Sequence, residues 1–145
     1  MKKLFISVFL FTAFAAYAEE LPLGMLAVKI PEAAIAAIKF RDAGKPKDFL
    51  TGALPAKGTP MTRTGREMHQ IADDIYEFRS VKGLTYYAYT QNRFMQELRG
   101  KPAPTQFKEV ASEVLACQDN ILESDQQKLI LCVTGIVNKY VPKAK

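Results

Sequence analysis

The chain has 145 residues, 48% of them hydrophobic and 24% charged, with 20 lysines and arginines against 15 acids and a formal charge of +5. That length and apolar content suit one globular core and are too small for a multidomain protein. The basic residues are interleaved with acids instead of running together, which excludes the electrostatic footprint of a nucleic-acid-binding protein.

Lys2 and Lys3 precede an almost unbroken apolar stretch from Leu4 to Phe14, and Ala16-Tyr17-Ala18 then places small residues three and one before a cut. This is the pattern of a secretory signal peptide over residues 1–18, cleaved after Ala18, with Glu19 and Glu20 turning the chain acidic at once. The apolar run is shorter than the roughly twenty residues that span a bilayer, and no later stretch is long enough. No cysteine lies near the cut, which argues against a lipid anchor. The Lys-Lys start and short apolar region look bacterial, so the expected address is the periplasm or the exterior, with no transmembrane segment left after cleavage. Residues 19–30 are expected to form an extended segment and residues 31–145 a single helical domain.

Within that domain the first helix is predicted over Pro31 to Ala43, with Pro31 in its first turn and Gly44 and Pro46 ending it. Arg41 and Asp42 at its end read as caps or a surface ion pair worth under about 1 kcal/mol. A short turn of helix is expected at Asp48 to Leu50, and Ala53 to Arg63 reads as a surface loop. The next helix runs from Gly65 to Phe78, capped by Thr64 with Glu67, and buries Met68, Ile71, Ile75 and Phe78. Its other face, Arg66, His69, Gln70, Asp73, Asp74 and Glu77, reads as solvated. His69 and Asp73 stand four residues apart on it and would be the pair to share a proton or a metal, but a metal needs a third ligand.

A helix from Gly83 to Arg99 follows, stopped by Gly100 and Pro102. Leu84, Tyr87, Gln91, Phe94, Met95 and Leu98 form its predicted buried stripe, and Tyr86, Tyr89 and Arg93 project to the opposite side. Tyrosine and arginine are enriched at binding hot spots, which makes Tyr86, Tyr89 and Arg93 the candidate partner-binding face. The competing reading is a central helix packed on two sides, its tyrosine rings buried.

From Thr105, Phe107, Val110, Val114, Cys117 and Ile121 step by three and four along one helix face. Ser124 with Gln127 caps a second helix, on which Leu129, Cys132, Ile136 and Tyr140 repeat the spacing. Cys117 and Cys132 each lie seven or eight residues from the turn, roughly 11 Å along their helices at 1.5 Å per residue, and should meet across the hairpin. An even cysteine count in an oxidising compartment predicts a disulfide, contributing about 3 kcal/mol by the loop-entropy model. The alternatives fit less well, because a redox motif needs closer cysteines and no histidine stands near to complete a zinc site. The predicted fold is therefore all-α, a small bundle of about five helices with a disulfide-stapled C-terminal hairpin.

Two segments carry resemblances. Phe40-Arg41-Asp42-Ala43-Gly44, followed by a proline-and-glycine loop and Ile71-Ala72-Asp73-Asp74-Ile75-Tyr76, resembles small signal-peptide-bearing proteobacterial helical proteins of unknown function. Leu115-Ala116-Cys117, Ser124-Asp125-Gln126 and Cys132-Val133-Thr134-Gly135-Ile136 are similar to the cysteine-and-glycine segment of Tai-type periplasmic immunity proteins, which protect bacteria from type VI secretion effectors. The second resemblance covers the hairpin alone and implies a protein target.

Neither a nucleophile elbow, a phosphate-cradling glycine loop nor a paired-histidine motif occurs, so no catalytic residue, metal or cofactor is expected. The expected function is a non-enzymatic, secreted or periplasmic protein-binding module of the effector-neutralising or inhibitor type. A stress-protective, chaperone-like protein that binds unfolded clients broadly is the alternative, and a hydrolase built on His69 and Asp73 stands third.

Overall fold

The computed structural model describes residues 19–142; the predicted leader and the last three residues lie outside them. Six α-helices and one 3-10 turn follow in chain order, with no strand among the described residues. They are α1 (Leu23–Asp42), α2 (Lys47–Thr51), α3 (Arg63–Glu77), α4 (Gly83–Leu98), a 3-10 turn (Phe107–Glu109), α5 (Ala111–Asn120) and α6 (Gln126–Asn138).

The expected extended segment over residues 19–30 is corrected: α1 begins at Leu23, where the carbonyl of Pro22 accepts from Met25 and Leu26. Pro31 sits inside the helix and does not open it. A proline there costs about 3 kcal/mol by removing one donor and crowding the preceding turn. Burial of Leu26 and Ile30 offsets this, at about 1.5–3 kcal/mol for each side chain removed from water. The stripe Leu26, Ile30, Ala34, Ala37 and Ile38 thus runs straight past the proline. What precedes α1 is tied down, with Leu21 N–H donating to Thr64 Oγ1 at 3.1 Å and Arg63 N–H to Glu20 at 2.8 Å.

Thr64 is therefore unavailable as a cap. Thr62 caps α3 instead, its hydroxyl accepting from Gly65 N–H at 3.1 Å. Arg41 forms the expected ion pair with the exposed Asp42, at 2.7 Å, but it also does more than that. Its guanidinium is buried and donates to the carbonyls of Ile75 at 3.1 Å and Val81 at 2.8 Å, binding the end of α1 to the open end of α3. These are carbonyls that a helix end and its following turn leave unpaired.

Helix α4 is the centre of the molecule, packing along α1 on one side and α6 on the other. It ends as predicted at Gly100, whose φ of 66° is the left-handed conformation that lets Lys101 N–H return to the Gln96 carbonyl. The single helix predicted from Thr105 is broken in two. Glu109 reaches back to the backbone N–H groups of Thr105 and Gln106, making a tight turn before α5 starts. That turn drives Phe107 into the core against Phe78, Tyr86 and Tyr89, with ring centroids 4.9–5.3 Å apart. The C-terminal hairpin is stapled as predicted: Cys117 and Cys132 form a disulfide with Cα atoms 6.0 Å apart. Asp125, one residue past the predicted Ser124, caps α6 by accepting from Lys128 N–H.

Candidate functional site

The candidate partner-binding face of α4 is not a surface. Tyr86 and Tyr89 are each 1% exposed and Arg93 is 4% exposed. The wheel of α4 is turned relative to the sequence reading, so that Leu98, assigned to the buried stripe, stands out in solvent. The physical reason is that α4 is covered on both sides, and its second buried side is lined with polar groups that no hydrophobic pattern marks.

These residues form a buried polar network. Tyr86 donates its hydroxyl to Asp74 at 2.7 Å, and Gln70 donates its amide to the other carboxylate oxygen of Asp74 at 2.7 Å. Arg93 pairs with the Glu67 carboxylate, reaches the Thr105 carbonyl, and lies over the Phe94 ring, 4.4 Å from its centroid. Burial pushes the Asp74 carboxyl up to about 6, against the pull of Tyr86, Gln70 and the Arg93 charge. Burial also drives both tyrosines far above the usual phenol range. It works against the Arg93 cation too, but the adjoining Glu67 carboxylate outweighs it and raises the guanidinium further. Asp74, which the sequence places on a solvated face, belongs to this interior; the missing signal was its partner on a different helix.

His69 and Asp73 both line one open cleft with Lys57 and Arg66, but each is bonded to a different partner. His69 is buried, and its Nε2 lies 2.8 Å from the Pro55 carbonyl, which can only accept, so the ring pins the loop before α3. Asp73 instead bridges Lys47 and Lys57, each at 2.5 Å. Burial acts to raise its carboxyl, and the two lysines overcome that and hold it below the usual value. No group of three metal-ligating side chains occurs among the described residues.

Among the described residues three clefts of similar size open to solvent, two of them lined mostly by polar side chains and sharing Gln70 and Asp73 on α3, and the third, with exposed apolar side chains, along the stapled hairpin. An open groove of about 510 Å³ runs beside α6, floored by Cys132, Gly135 and Ile136 and flanked by Glu113 and Lys139. At its edges Leu131 is 62% exposed and Val141 76% exposed. One wall is fixed by Glu109, which accepts from Thr105 and from the Tyr140 hydroxyl. That bond raises the phenol of Tyr140 to about 12, and although burial acts to raise Glu109, the bonds it accepts hold its carboxyl below the usual value.

Gly135 sits in the interior of α6, where glycine costs about 1 kcal/mol relative to alanine. Beyond its neighbours and the backbone of its own helix, no atom lies within 4 Å of where its Cβ would stand, so no packing against the rest of the chain requires the missing side chain. The sequence did carry a sign of this surface. Leu131 falls off the Leu129, Cys132 and Ile136 stripe, as a large apolar residue with no inward-facing place.

No protein-family model, curated protein or solved structure matches the chain. The disulfide is consistent with an oxidising compartment, and no helix among the described residues is long and apolar enough to cross a membrane.

Proposed function

We propose that the chain is a non-enzymatic protein-binding module of the cell envelope, of the effector-neutralising or inhibitor type, and that it docks its partner along the α6 groove. The observation that carries this reading is the exposure of Leu131 and Val141 at the edges of a groove whose backbone is held by the Cys117–Cys132 bridge. Apolar side chains around a concave, pre-formed surface give a partner area to bury at little ordering cost. The predicted secretory leader and the disulfide support an extracytoplasmic site of action. The likeness of the hairpin to a segment of effector-neutralising immunity proteins supports the same class.

A photo-crosslinking residue at Leu131, compared in intact cells with one at Leu98 on the far end of α4, tests this. A discrete cross-linked species from Leu131 that contains a different protein, and is absent from Leu98, is the expected result. No product at Leu131 overturns the proposal, and the same broad smear from both positions transfers the weight to a chaperone-like protein.

A further inference from the structure

Taking the α6 face as a docking surface, we infer that one occupant of it is a second copy of this chain, with two α6 helices crossing at Gly135 about a two-fold axis. Lys128, Leu131, Gly135 and Lys139 follow one another at spacings of three and four and so share one outward face of α6. The gap at Gly135 lies in the middle of that face and faces open space. Glycine at such a point lets another backbone come close.

The charges point to the same occupant. Among the described residues, neither Glu113, Lys128 nor Lys139 has an ion-pair partner. Helices α5 and α6 run antiparallel with Cys117 level with Cys132, so Glu113, one turn earlier, is level with Ile136 and beside Gly135. The groove therefore carries an unpaired acid on its α5 wall and an unpaired cation one turn beyond its centre. A surface with one of each is complementary to itself under a two-fold rotation, which is what an isologous interface requires. When the helices cross steeply at Gly135 with the C-terminal half of each α6 over the other copy's α5, Lys139 of each copy lies over Glu113 of the other. A contact confined to one face of α6 and the neighbouring α5 edge of each copy belongs with weak, reversible association.

Sedimentation equilibrium of the purified full chain over a concentration series tests this. The expected result is a concentration-dependent monomer–dimer equilibrium. Gly135→Gln should melt no lower than the native protein, because the new side chain enters open space, yet weaken dimerisation by about tenfold or more. Glu113→Lys and Lys139→Glu should each weaken it, and the two together in one chain should restore it. A native protein that stays monomeric to about 1 mM, a dimer indifferent to Gly135→Gln, or a charge swap that fails to restore association overturns the inference. A monomeric result leaves the Leu131 cross-link to a different protein intact, so the two readings fail separately.

Discussion

The hydroxyl of Tyr86 on α4 donates to the carboxylate of Asp74 on α3 across 2.7 Å in the interior of the bundle. The bond helps the charged form of Asp74, and burial outweighs it, so the folded protein holds this carboxyl at about 6 against 3.8 for the free group. The native state therefore binds the proton more tightly than the unfolded chain does. Its stabilising contribution is complete below about pH 4 and is lost as the pH rises through about 6.

Lowering the pH from 7.5 to 5 should accordingly raise stability, by about 1–1.5 kcal/mol if Asp74 acts alone, since pH 5 lies one unit below its folded value and one unit is about 1.4 kcal/mol. Asp73 and Glu109, both held below their usual values, contribute in the opposite sense, and their stabilisation is lost only on further acidification. Urea unfolding midpoints at pH 7.5, 6 and 5 check this. Asp74→Asn should flatten the rise; a variant with the same pH profile as the native protein would show that another group titrates.

The two neighbouring tyrosines should respond oppositely to loss of a single oxygen. Tyr89 has a buried hydroxyl with no hydrogen-bond partner among the described residues, so Tyr89→Phe removes an unsatisfied group and should be neutral or stabilising by about 1 kcal/mol. Tyr86→Phe leaves one oxygen of the buried Asp74 carboxylate unpaired and should destabilise by about 1–3 kcal/mol at pH 7.5. The Tyr86→Phe deficit should shrink at pH 5, where Asp74 is protonated. Equal effects of the two substitutions would contradict the network.

The helices were legible where one face is apolar and the other wet. The Met68, Ile71 and Ile75 stripe of α3 is buried as the spacing requires, and the Cys117–Cys132 staple follows from the pairing of two such stripes. The sequence misled where a local rule met a tertiary override. Pro31 looks like a helix start until Leu26 and Ile30 are seen buried before it. Helix α4 is packed on two sides with its tyrosine rings buried, as the competing reading has it, and the pattern leaves this open because Thr85, Thr90, Arg93 and Gln96 are buried among Tyr86, Ala88, Tyr89 and Phe94. The tie from Arg41 to Ile75 and Val81 has no sequence signal at all, since carbonyl acceptors carry no residue identity.

That tie makes a prediction of its own. Arg41 satisfies two backbone carbonyls on opposite sides of the turn between α3 and α4 with one planar group. Lysine carries the same charge but no fork, so Arg41→Lys should cost about 1–2 kcal/mol and Arg41→Ala more, as one or both carbonyls lose a partner. Thermal melts give the ranking. If Arg41→Lys melts with the native protein, charge alone is what the site needs.

Reduction of the hairpin should separate the groove from the rest of the fold. The bridge closes a loop of 15 residues, for which the entropic contribution is about 3 kcal/mol. The interior built by Tyr86, Phe107 and Met68 does not depend on it, so a reduced protein should keep a cooperative, lower melting transition. Val133 and Val137 still anchor α6 to the core through one side, whereas its pairing with α5 is left to the half-buried Ile136 and its neighbours. Hydrogen exchange in the presence of a thiol reductant should therefore accelerate in α5 and the start of α6 well before α1, α3 and α4. Uniform acceleration across all of them would mean that the staple holds the whole bundle together, and the groove would then have no stability of its own to lose.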